Sequence, residues 1–93
     1  MFTFSNNHWG HGVRNVQCPT GRPVSTDSIV LASVTEVFWD QRRGIFVPFQ
    51  GSASIEVLNC VPRPDEFFGA LYVRVNIMWN SDILIRVSGA VFP

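Results

Sequence analysis

Five residues bring together the side-chain types that recognise sugars. Trp79, Asn80 and Asp82 fall in the run Trp79-Asn80-Ser81-Asp82, and Trp39 and Arg42 fall in Trp39-Asp40-Gln41-Arg42. An aromatic ring stacks on the C–H face of a sugar. Planar amide, carboxylate and guanidinium groups offer fixed donors and acceptors to its hydroxyls. The competing reading of both tryptophans is structural, because Trp79 falls on the inward phase of its strand and could cap one end of a core.

Other chemistries find less support. His8, His11 and Cys18 are the only clustered metal-ligand types, and three ligands among loose glycines fall short of the four a zinc site needs. Gly51-Ser52-Ala53-Ser54 precedes a strand, so it does not make the strand–turn–helix elbow of a serine nucleophile. Asp65 and Glu66 are sequence neighbours that read as solvated, and both histidines lie near the N-terminus. A non-enzymatic protein without a cofactor is therefore expected. Arg42-Arg43 beside Trp39 is the nearest approach to a nucleic-acid surface. Asp40 offsets that charge, and binding to nucleic acid is not expected.

Side chains in turns need strands to hold them, and the chain of 93 residues is rich in strand signals. Alternation of apolar and polar residues marks half-buried strands at Leu71–Trp79 and Ile83–Phe92. Ile29–Trp39 reads as a long strand with apolar residues on both faces. Ile29, Leu31 and Val37 lie on one face, and Val30, Ala32, Val34 and Phe38 on the other. Ile45–Phe49 reads as a short edge strand because Pro48 cannot donate to a ladder. Asp40–Gly44 reads as a charged turn. Ala53–Val61 reads as a strand with Ile55, Val57 and Val61 inward and Glu56 outward. Pro62–Gly69 reads as a rigid loop that carries Phe67 and Phe68.

The N-terminal segment, residues 1–24, reads as mostly irregular around Gly10, Gly12, Pro19, Gly21 and Pro23, with one short strand at Val13–Val16. The last two strands are expected to pair as a hairpin. A three-residue turn at Asn80–Asp82 would set Trp79 opposite Ile83, Ile77 opposite Ile85 and Val75 opposite Val87, keeping each face consistent. Five or six short strands with no helical crossover predict an all-β fold, a single domain over residues 1–93. Its expected form is a small antiparallel β-sandwich, jelly-roll or six-stranded.

Composition narrows the class further. Apolar residues make up 46% and charged residues 15%, against about 25% charged in an average domain. Seven arginines balance seven carboxylates, and lysine is absent. Neutrality excludes a nucleic-acid surface built on bulk positive charge, and the hydropathy excludes a disordered chain. No apolar run approaches the ~18–20 residues of a membrane span, and no signal peptide is expected. The compartment is left open, with an extracellular or virion-associated setting as one possibility. Cys18 and Cys60 are expected as buried or half-buried thiols, with a single disulfide as the alternative.

Apolar side chains on both faces of a strand exceed what one small sandwich hides. Met78, Leu84, Tyr72 and Phe92 also fall on the outer phase of the last two strands. The protein itself is therefore the first expected partner, in a homo-oligomer. A segment such as 1–24 could be exchanged between subunits.

The stretches Ser28–Val34, Leu71–Asn80 and 83–92 resemble the H-type lectins, the snail-agglutinin and discoidin C-terminal family. The resemblance implies a six-stranded antiparallel sandwich, a trimer, and sugar sites near subunit junctions. Trp79 and Asn80 fall where that family places a tryptophan–polar contact pair. The stretch Ser52–Val57 carries no counterpart of the family's recognition arginine, and the family's N-terminal Gly/Asp contact loop is not evident. Two functions result as expectations. One is a lectin-like module whose glycan meets Trp79, Asn80, Asp82, Trp39 and Arg42. The alternative is a structural subunit of a phage tail or fibre, a virion or an extracellular filament.

Overall fold

A computed structural model of the chain describes residues 1–66 and 69–92. Phe67 and Phe68 of the expected loop lie outside the described residues. The described residues form seven strands: β1 (Phe2–Gly10), β2 (Gly12–Pro19), β3 (Ile29–Asp40), β4 (Ile45–Phe49), β5 (Ser54–Arg63), β6 (Ala70–Met78) and β7 (Ile83–Phe92). They build a four-stranded sheet in the order β1-β7-β3-β4 and a three-stranded sheet in the order β2-β6-β5, all antiparallel. The all-β antiparallel sandwich expected from the alternation is what forms.

The pairing is nested. The first strand pairs with the last, from Phe2↔Val91 to Gly10↔Ile83. The second pairs with the second-last, from Gly12↔Ile77 to Pro19↔Ala70. The two ends of the chain thus form one long ribbon that bends from one sheet into the other. One arm bends at Gly10–Gly12, where Gly12 takes φ 70°, a left-handed conformation costly for a residue with a Cβ. The other arm bends between Met78 and Ile83.

This topology corrects two expectations. First, β6 and β7 do not pair as a hairpin; they lie in different sheets, and residues 79–82 form a corner. Leu71, Val73, Val75 and Ile77 of β6 meet Ile85, Val87 and Val91 of β7 in one core cluster. Alternation identifies the face that is buried, and both strands bury theirs against the opposite sheet instead of edge to edge. Second, residues 1–24 are not mostly irregular, since β1 and β2 occupy most of them and pair within the same chain. Phe2 and Phe4 point inward while Thr3, Ser5 and Asn7 point out, and Val16, Cys18 and Val24 join the same core. The glycines and prolines fall at the ends of β1 and β2 and in the 20–28 connection, not in the strand interiors.

A third difference is local. Between Val57↔Val75 and Asn59↔Arg74 the register slips, leaving Leu58 as an extra residue. The bulge inverts the phase of β5 beyond it, so Cys60 packs on the core and Val61, expected inward, joins the outer face with Asn59.

The remaining strands behave as read. Val30, Ala32 and Val34 of β3 pack on the core, and Ile29 and Leu31 are left outside at 63% and 62% exposure. The turn after β3 is fixed by Asp40: its carboxylate accepts the backbone N–H of Arg42 at 3.0 Å and pairs with Arg43 Nε at 3.1 Å. β4 is an edge strand with Pro48 opposite Val37. β5 packs on β3, so β4 extends beyond the three-stranded sheet.

Cys18 and Cys60 are free thiols on β2 and β5, with β6 between them. Two strand spacings of about 4.8 Å each put their Cα atoms beyond the ~7 Å limit for a disulfide. Burial, reinforced by Cys60, pushes the Cys18 thiol up to about 11; burial alone raises that of Cys60. Because the folded value of Cys18 lies above its ordinary 9.0, the stability it contributes is complete below pH 9 and is lost as pH rises through about 11. Alkylation by iodoacetamide at pH 8 is expected to label Cys60 well before Cys18. Equal labelling rates would show that the β2–β6 edge opens freely.

Candidate binding groove

The bend of the ribbon places β1, β3, β4 and the 79–82 corner at one end of the four-stranded sheet. Register then decides which side chains meet. Trp9 lies opposite Leu84, and Trp39 lies opposite Phe46. On the outer face these residues, with Val37 and Asp82, line an open groove of about 300 Å3. That volume is at the lower end of ligand sites, typically ~300–1,000 Å3, and suits a small or narrow ligand.

Val37 and Leu84 make a buried floor, which accounts for apolar residues on the outer phase of β3 and β7. The walls are aromatic. The rings of Trp39 and Phe46 meet edge to face at 4.9 Å and 66°. Trp9 is 70% exposed and Trp39 is 50% exposed, so each keeps ring surface available to a ligand. Behind them Phe38 and Phe49 form a second edge-to-face pair at 5.3 Å.

The polar contact comes from Asp82, which lines the groove. Glu36, opposite Phe49 on the core-facing phase of β3, carries its carboxylate to Gly51 on the other side of the sheet. His11, in the corner of the partner arm, donates from Nδ1 to Asp82 Oδ1 at 2.6 Å. This clasp joins the two bends of the ribbon and fixes the Asp82 side chain, while Oδ2 remains an acceptor. Arg14 Nε donates to the His11 carbonyl at 2.9 Å and braces the same corner. Beneath the groove, His8 has its Nε2 buried without a hydrogen-bond partner, and burial lowers its pKa.

Of the five residues expected to contact a ligand, Trp39 and Asp82 line the groove and the other three do not. Trp79 does not cap the core. It is 43% exposed at the corner, where its backbone N–H donates to the Ile77 carbonyl at 2.8 Å. Asn80 is exposed in the same corner, and Arg42 is exposed at the tip of the β3–β4 turn. Trp9 and Phe46 line the groove without being among the five. An N-terminus read as loop hides Trp9, although the alternation Phe2-Thr3-Phe4-Ser5 already marks a strand.

The metal-ligand types do not converge. Cys18 pairs with Leu71, at the end of β2 far from His11 and the corner. Among the described residues no group of three His, Cys, Asp or Glu side chains is placed to hold a metal ion, and no helix is long and apolar enough to cross a membrane.

Comparison with known proteins finds no matching family model, no matching curated protein and no matching solved structure.

Proposed function

We propose that the protein is a non-enzymatic, self-associating carbohydrate-binding module whose sugar lies in the groove between Trp9 and Trp39. The observation that carries this reading is the groove itself: the rings of Trp9, Trp39 and Phe46, an apolar floor and the Asp82 carboxylate. Ring faces take the C–H surface of a sugar, and Asp82 accepts from its hydroxyls. The resemblance to H-type lectins points the same way, although Trp79 and Asn80 lie outside the groove. A glycan array tests the proposal. Wild-type protein is expected to mark a restricted set of neutral glycans, and folded Trp39→Ala to lose them. An array without hits, or hits indifferent to Trp39→Ala, would overturn it.

Self-association has its own support. The folded chain leaves 5848 Å2 accessible, against about 5,400 Å2 expected from area scaling for a 10.5 kDa monomer. An apolar patch lies at the opposite end of the same sheet face, where Ile29, Leu31 and Phe92 are exposed. This patch favours the second reading, a structural subunit of a fibre, virion or filament, as much as it favours a lectin. Sedimentation separates the two. A closed oligomer, a trimer by the lectin resemblance, that falls to monomer in Leu31→Glu supports the first. Open-ended polymers support the second, and a monomer at all concentrations contradicts both.

A further inference from the structure

The outer face of the three-stranded sheet carries side chains that neither the core nor the groove uses. Two rows run across it: Asn15–Arg74–Asn59 and Gln17–Tyr72–Val61. The bulge at Leu58 is what places Asn59 and Val61 there, since an unbroken β5 would present the opposite phase. Bulges that re-aim side chains in this way recur beside functional sites. Asn15, Asn59, Val61, Arg63, Tyr72 and Arg74 enclose a recess of about 160 Å3.

Two guanidinium groups flank this recess. Arg74 donates from Nε to Asn15 Oδ1 at 2.8 Å, which holds the side chain while leaving its terminal nitrogens available. Arg63 lies over the Tyr72 ring, 5.3 Å from its centroid. Among the described residues the ion pairs are His11–Asp82 and Arg43–Asp40, and neither involves Arg63 or Arg74. Two carboxylates share this face at the margins of the recess without forming an ion pair with either arginine. Glu66 accepts from Gln17 Nε2 at 2.9 Å and hydrogen-bonds Tyr72, and Glu56 accepts from Asn76 Nδ2 at 3.3 Å. A chain with no net charge thus gathers two unpaired arginines around one small recess.

We propose that this recess binds the anionic group of an acidic sugar, with Arg63 and Arg74 on the carboxylate or sulfate and the Asn15 and Asn59 amides on the ring hydroxyls. Guanidinium forks match the planar geometry of a carboxylate, and charge-assisted hydrogen bonds are about twice as strong as neutral ones. The inference rests on reading the chain as a sugar binder, and gives it a second site of distinct specificity.

Calorimetric or NMR titration with glucuronate, glucose and sodium sulfate tests it. Glucuronate is expected to bind and to shift the Asn15 and Asn59 amide signals, while glucose leaves them unmoved. Arg74→Gln is expected to weaken glucuronate binding by about tenfold or more, Arg63→Gln to act in the same direction, and Trp39→Ala to change nothing. Both arginines are exposed, so thermal unfolding should match the wild type. Glucuronate binding no tighter than glucose, or unchanged in Arg74→Gln, overturns the proposal. Sulfate binding as tightly as glucuronate also overturns it, leaving an unspecific anion site. Glucuronate binding at the recess with no neutral glycan at the groove would uphold this inference and overturn the groove instead.

Discussion

Val73→Asp is expected to abolish the cooperative unfolding transition. Val73 is fully buried in β6, the central strand of the three-stranded sheet, between Val16 of β2 and Cys60 of β5. Its side chain faces the core that β7 closes from the other sheet. No described salt bridge reaches this part of the core. An unpaired carboxylate there costs several kcal/mol even after it takes up a proton. A domain of this size has about 5–14 kcal/mol of stability in total. A core this small offers no second layer to absorb the change. Val13→Asp is the control: the same substitution on exposed outer-face β2 is expected to shift stability by no more than about 0.5 kcal/mol. Circular dichroism against temperature reads both. A sharp Val73→Asp melt near that of wild type would mean that β6 is not central to the core.

Trp39→Ala is expected to weaken binding of a groove-seated glycan by at least about tenfold while the fold persists. Its ring forms a wall of the groove, and its partner is Phe46 on the edge strand β4. Truncating a tryptophan at the centre of a contact commonly costs about 2 kcal/mol or more, where each 1.4 kcal/mol is tenfold. Because Trp39 is half exposed, its loss opens no closed cavity and removes little from the core. Isothermal titration with a glycan from the array measures the affinity, and an unfolding curve confirms the fold. Unchanged affinity in Trp39→Ala, beside a loss in Trp79→Ala, would move the site to the 79–82 corner.

Strand identity was legible where alternation was clean. Ile45–Phe49 and Ile83–Phe92 form as read, and Pro48 marks an edge. Strand partnership was less legible. Ile77 and Ile85 both point inward whether they meet within a sheet or across the core, because a period of two encodes only the buried face. The inter-sheet corner at 79–82 therefore looked like a hairpin turn. The bulge at Leu58 carries no glycine to announce it, so alternation alone puts Val61 on the wrong face. The groove was half legible for the same reason: Trp39 and Asp82 were recognised by type, but only the nesting of β1 against β7 brings Trp9 to them.

The three tryptophans allow the most direct test. Each gives one indole N–H signal in a 15N-correlated spectrum, assigned by single substitution. Titration with a neutral oligosaccharide taken from the array should move the Trp9 and Trp39 signals together and leave Trp79 in place. Movement of Trp79 alone, or of none of the three at millimolar sugar, would contradict the account.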